Sequence, residues 1–151
     1  MSVSRLLLAL PVLALALASQ APAQCSGGTG TLTVTPNGPV SAGDTISVQS
    51  CGPTSAIALL AVSEAAGSTT FPGMGPFPSL TLCLAEPLIL LPLGFTGTGN
   101  CAGVDFTVPA GAQLPGNLNL TLQGVFLDFS FTPPMTFNIT VETTNTDSLS
   151  L

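Results

Sequence analysis

Apolar and polar residues alternate along most of this chain with the two-residue period of a strand that has one covered face. Thr31-Leu32-Thr33-Val34-Thr35 places Leu32 and Val34 on one side and three threonines on the other. Thr45-Ile46-Ser47-Val48-Gln49 repeats the pattern after a turn rich in Pro36, Asn37, Gly38, Pro39 and Gly43. Residues 55–62 are apolar on both faces, as in a central strand covered twice. Leu80, Leu82 and Leu84 share a face, with Thr81 and Cys83 opposite, and residues 88–93 form a further apolar run that Pro92 and Gly94 should end. Val104, Phe106 and Val108 point inward, with Asp105 and Thr107 outward. Leu118, Leu120 and Leu122 hold one face up to Gly124, after which Val125, Leu127, Phe129 and Phe131 continue at the opposite parity. A switch of parity at a glycine predicts a β-bulge or a bend between sheets. Phe137, Ile139 and Val141 face in, and Leu149 and Leu151 carry the alternation onward.

No stretch shows apolar residues at helical spacing free of Gly and Pro, except near the start of the chain. The reading is therefore all-β: a two-layer antiparallel sandwich of about seven to nine short strands, punctuated by turns at roughly 8–12-residue intervals. Residues 24–151 form its single domain.

Composition adds a leader. Arg5, the only basic side chain in the sequence, precedes an apolar run over residues 6–18 and an Ala21-Pro22-Ala23 box. This is the order of a secretory signal peptide over residues 1–23, a helix expected to be cleaved after Ala23. The apolar run is shorter than the roughly 20 residues a membrane span requires, and it contains Pro11. Lipidation of Cys25 is disfavoured because Gln24 occupies the position before it. The chain is expected outside the cytoplasm, secreted or at the cell surface, and not membrane-spanning once the leader is gone.

In such a compartment the four cysteines, Cys25, Cys51, Cys83 and Cys101, read as two disulfides. Three pairings are possible. Cys25–Cys51 with Cys83–Cys101 is expected, since each bond would close a short loop between neighbouring strands. A zinc site is disfavoured by the lack of any CxxC or His.

Beyond the leader there is no Lys, Arg, His, Tyr or Trp. General acid-base chemistry at neutral pH usually draws on His, or on Lys or Tyr with a shifted pKa, and a nucleophilic serine needs such a base beside it. Nucleic acid and anionic lipid are held by Lys and Arg, so neither is an expected partner of a chain with a net charge of −6. The seven acids (Asp44, Glu64, Glu86, Asp105, Asp128, Glu142, Asp147) read as solvated charges on strand faces and loops. No metal or cofactor is expected. A calcium site would have to gather Asp44, Asp105, Asp128 or Asp147 from separate loops. Asn119-Leu120-Thr121 and Asn138-Ile139-Thr140 match the N-glycosylation pattern, which Asn/Thr alternation on strand exteriors also generates; both are read as structural.

The most unusual local feature is the segment Thr70-Phe71-Pro72-Gly73-Met74-Gly75-Pro76-Phe77-Pro78, which sets three large apolar residues in a run too rich in Gly and Pro for ladder pairing. Phe71, Met74 and Phe77 either fold back as a lid over one end of the sandwich, the more usual fate of such side chains, or form an exposed contact for a partner protein or surface polymer.

Three places resemble a class of small all-β modules in secreted bacterial proteins to which no activity is assigned. They are Ala56-Ile57-Ala58-Leu59-Leu60; the Pro-Phe-Pro loop leading to Leu82-Cys83-Leu84 and Pro87-Leu88; and residues 120–128 followed by Thr143-Thr144-Asn145. The resemblance spans residues 43–151. Thr121 and Gly124 stand where Tyr and Trp are common in those modules. It implies a sandwich and an extracellular location, and it carries no catalytic residue.

These readings converge on a structural or interaction module of the adhesion or matrix type, without catalytic activity, whose partner is an extracellular protein or surface polymer. One alternative is a glycan or small-ligand module, with or without calcium. Another is a self-assembling surface subunit that donates residues 31–35 to a neighbour.

Overall fold

A computed structural model describes residues 28–151, Met135 apart. The leader, Gln24 and Cys25 lie outside the described residues. Nine strands and no helix appear among the described residues: β1 (Thr31–Thr35), β2 (Thr45–Cys51), β3 (Ile57–Ser63), β4 (Ala66–Phe71), β5 (Leu80–Leu84), β6 (Leu88–Phe95), β7 (Cys101–Thr107), β8 (Asn119–Thr132) and β9 (Thr136–Ser150). They form sheets ordered β1-β2-β7, β6-β3-β8-β9 and β4-β5, and every strand pairing in them is antiparallel.

The first two sheets make the sandwich. Leu32, Val34, Ile46 and Val48 from β1 and β2 pack against Leu60, Leu122 and Leu149 from β3, β8 and β9, with Val40 closing one end. This is the inward set that the alternation predicts. The small β4-β5 sheet covers the other face of the larger one, where Leu82 and Leu84 bury Ala61 and Val125. β3 is thus covered on both faces, which explains its unbroken apolar sequence. Strand β4 is an element the pattern does not announce. Its sequence, AGSTTF, lacks apolar alternation, and it is held by pairing Thr69, Thr70 and Phe71 with Leu82, Thr81 and Leu80.

Gly124 departs from the expected irregularity. β8 runs unbroken through it, in regular register with β3 (Leu60↔Gly124, Leu59↔Val125). The register shift lies between β8 and β9, where Gln123 faces Thr146 and Val125 faces Thr143, so the additional residue belongs to β9 at Thr144-Asn145. The change of parity along β8 has another cause. Leu122 faces the sandwich interior, Val125 faces the β4-β5 layer, and both are buried. Glycine is required at 124 by close approach: a Cβ there would collide with Ser50 Oγ and come within 2.7 Å of Thr144 Cγ2.

The disulfide pairing also differs from expectation. Cys51 bonds to Cys101, with Cα atoms 4.0 Å apart at directly opposed positions of β2 and β7. Neither Cys25–Cys51 nor Cys83–Cys101 is therefore formed. Closing short loops was the wrong guide, because β2 finds its neighbour across 50 residues of chain. A bond spanning that separation contributes about 4 kcal/mol in the loop-entropy model.

The two lateral seams of the sandwich differ. Along one, β1 is stitched to β9 through side chains: the Leu32 N–H donates to Asn145 Oδ1 (2.8 Å) and the Val34 N–H to Asp147 Oδ2 (3.0 Å). Gly30 adds a parallel bridge to Thr144. Along the other, β6 and β7 touch but share no ladder.

Candidate contact surface

The open seam exposes side chains that strand parity directs inward. Val104 and Phe106 sit opposite the buried Val48 and Ile46, on the same face of their sheet, yet both are exposed. On β6, Ile89 and Leu91 lie opposite Val62 and Leu60 and share their inward face. Ile89 is nevertheless 63% exposed, and Leu91 is exposed as well. Leu90, on the opposite face, and Phe95, at the end of the strand, are also exposed, the latter by 72%. Leu93 alone reaches back to both inner clusters. Leu88 and Leu93 are half-buried, and between them Ile89, Leu90 and Leu91 lie at a sheet edge with little cover on either face.

Among the described residues the β6 backbone has no strand partner on the outer side. The Thr96 N–H donates to the Ala56 carbonyl, and the pairing Leu60↔Leu91 keeps the same parity, so the even residues of β3 point toward β6. On β6 the backbone groups of Ile89 and Leu91 then face β3, and those of Leu88, Leu90 and Pro92 face outward. Pro92, with no N–H to give, occupies an outward position where β3 needs none. The strand does not stop at Pro92 and Gly94, as the sequence suggests. It continues to Phe95 through a register shift opposite Ala58/Leu59, which leaves Leu93 as the additional residue.

The 70–78 segment adjoins this edge. Met74 and Phe77 exchange backbone hydrogen bonds of 3.1 Å each way across a tight turn, and Gly75 supplies its positive φ of 60°. The turn holds its side chains outward: Met74 is 72% exposed, and Phe71 and Phe77 are also exposed. They are not a lid. Phe71 lines a trough with Glu86, Pro87 and Leu88, which joins the loop to the start of β6. A further apolar group crowns the β8-β9 hairpin, where Phe137 stacks with Phe129 (centroids 6.0 Å apart) and packs against Phe131 (5.1 Å). Phe131 is 76% exposed.

Sequence reading missed Ile89, Leu90, Leu91, Phe131 and Phe137 as surface residues because each obeys the apolar pattern of a core, and it missed Phe95 because the run was expected to end before it. The one available signal was the double-faced apolarity of residues 88–93 next to Pro92, an edge-strand residue.

The acids stay apart. Asp44 Oδ2 accepts the Ser41 N–H (2.8 Å), Asp105 accepts from the Ser47 hydroxyl, Asp147 binds β1, and Asp128 pairs with Thr140 along the hairpin. Among the described residues no three of His, Cys, Asp and Glu gather in a way that could hold a metal ion. Both asparagines of the glycosylation pattern are exposed, with Asn119 accepting from the Ser150 hydroxyl (2.7 Å) and Asn138 donating to Thr132 (3.4 Å). A polar trough of about 400 Å³ crosses the outer face of the three-stranded sheet over Gly103, lined by Thr33, Thr35, Ser47, Gln49 and Asp105. No helix among the described residues is long and apolar enough to cross a membrane. Comparison with family models, curated proteins and solved structures finds no match.

Proposed function

We propose that this chain is a secreted, non-catalytic β-sandwich that works by contact, as a structural or interaction module at the cell surface or in the matrix. One observation carries the reading: the apolar surface that runs from Phe71, Met74 and Phe77 onto the uncovered edge strand β6. Monomeric soluble proteins rarely keep contiguous apolar surface of this kind without a partner for it. The disulfide and the leader-like start support export. A chain whose only basic side chain is Arg5 has few means of acid-base or nucleophilic catalysis. The likeness to small secreted bacterial modules belongs to the same reading.

A second reading, glycan or small-ligand binding, is favoured by the trough over Gly103, whose hydroxyls, amide and carboxylate suit a polar ligand. It lacks the aromatic platform that sugar rings usually meet, since the outer face there carries no ring.

Replacing Phe71, Met74 and Phe77 together with Ser separates the two. On the contact reading the variant loses attachment to the surface or matrix of the exporting cells, while its melting temperature moves by only a few degrees, because none of the three side chains belongs to the buried core. Full attachment by the triple variant, with loss instead on Asp105→Ala and Gln49→Ala, would favour the trough.

A further inference from the structure

We propose that β6 is a homophilic edge: two copies of this chain pair their β6 strands antiparallel about Leu90, joining two four-stranded sheets into one. The proposal rests on the contact-module reading and names its partner as a second copy.

Three features of β6 fit its own copy. The first is the backbone. Outward groups fall at Leu88, Leu90 and Pro92, and in an antiparallel pair directly opposed outward residues exchange hydrogen bonds. Centring the two-fold on Leu90 sets Leu90 against itself, with two bonds, and Leu88 against Pro92 of the second copy. In that pairing the proline has only to accept, so each Leu88 N–H still finds a carbonyl. Four bonds form, and the missing proline N–H removes only two. Centring on Leu88 or on Pro92 strands more groups or opposes two prolines.

The second feature is the side chains. The same register opposes Ile89 to Leu91 of the other copy, twice, on the inward face where both are exposed. These are non-hydrogen-bonded positions, where side chains of facing strands come closest. Leu90 meets Leu90 on the other face. The added strand would lie beside the open seam, where Val104 and Phe106 also lack cover.

The third feature is charge. A chain with seven acids and one basic side chain can meet itself only where no acid lies, and β6 carries none. The acids nearest in sequence and register are Glu64 and Glu86, both at the start of β6, where Ser63 pairs with Leu88. Antiparallel pairing puts Glu86 of one copy opposite Gly94 of the other, so the two glutamates stand about 27 Å apart along the strands at ~3.4 Å per residue. That exceeds the screening length of about 8 Å at physiological salt. A parallel pair would bring them together. Edge strands that avoid association usually carry charge, especially Lys. Here Pro92 blunts one position and leaves the rest open.

Analytical ultracentrifugation of the exported domain, with cross-linking by single cysteines, tests this. The expected result is a monomer–dimer equilibrium at tens of micromolar. Leu90→Cys should form an intermolecular disulfide at least roughly tenfold faster than Thr45→Cys on the outer face of β2, because opposed hydrogen-bonded residues lie about 5.5 Å apart, within disulfide reach. Ile89→Glu should weaken the dimer at least roughly tenfold by setting a carboxylate against leucine. A wild-type domain that remains monomeric throughout, or a dimer that ignores Ile89→Glu and cross-links no faster at Leu90→Cys, overturns the proposal. The wild-type measurement needs no variant to fold. A monomer that still attaches to the exporting cells through β6 would overturn self-pairing and leave the contact-module reading standing.

Discussion

Gly124 shows what a single position can reveal from sequence and what it conceals. The residue is glycine because Ser50 and Thr144 converge above its Cα, and its N–H donates to Thr144 Oγ1 at 2.7 Å. Beside it the fully buried Gln123 accepts from the Cys83 N–H (2.8 Å) and donates to the Thr144 carbonyl (3.0 Å), tying β5 to the bulge of β9. Gly124→Val should therefore cost about 1–3 kcal/mol by overpacking, without any change of backbone class. Chemical denaturation checks it, and an unchanged midpoint would show that the layers yield freely there. Alternation predicts a bulge in β8 at this glycine, but β8 is regular against β3 and the additional residue lies in β9. Thr144 and Asn145 are polar and give no apolar phase to slip, so the bulge of β9 leaves no trace in the pattern, and the parity switch of β8 records instead that the strand is covered on both faces.

At the level of elements, strands with an apolar pattern of their own were legible, and the strand without one was not. β1 and β5 appear at the bounds their alternation gives, whereas β4, held by a neighbour rather than by a face of its own, has no apolar pattern to announce it, and its last two residues fall in the Gly/Pro-rich segment. The stitch between β1 and β9 was equally silent, since Asn145 and Asp147 look like ordinary surface polar residues until their partners are known. Removing that stitch should be measurable. Asn145→Ala leaves the Leu32 N–H without its acceptor and should lower stability by about 1–2 kcal/mol, with faster hydrogen exchange at Leu32 than at Ile46. Asp147→Ala should do the same at Val34. The contact loop was legible as a feature but not in its fate. Composition marks Phe71, Met74 and Phe77 as unusual, and only the pairing of Phe71 with Leu80 and the Met74–Phe77 turn decide that they are exposed.

Across the whole molecule, the contrast between the two seams organises the functional reading. The β1-β9 seam is closed by carboxylate and amide groups, while the β6-β7 seam leaves apolar side chains and edge backbone uncovered. A sequence pattern registers that residues are apolar; it does not register whether a strand exists to cover them. That is why Val104, Phe106, Ile89 and Leu91 read as core. The polar trough over Gly103 lies on a different face, so the competing readings predict different footprints on one domain. Amide hydrogen exchange, run on the dilute domain alone and again when bound to the surface of the cells that produce it, distinguishes them most directly. The outward amides of Leu88 and Leu90, together with the 70–78 segment, should exchange fast in the free domain and slow on binding. Protection confined to residues around Thr33, Ser47 and Asp105, or no binding at all, would contradict a contact module that works through β6.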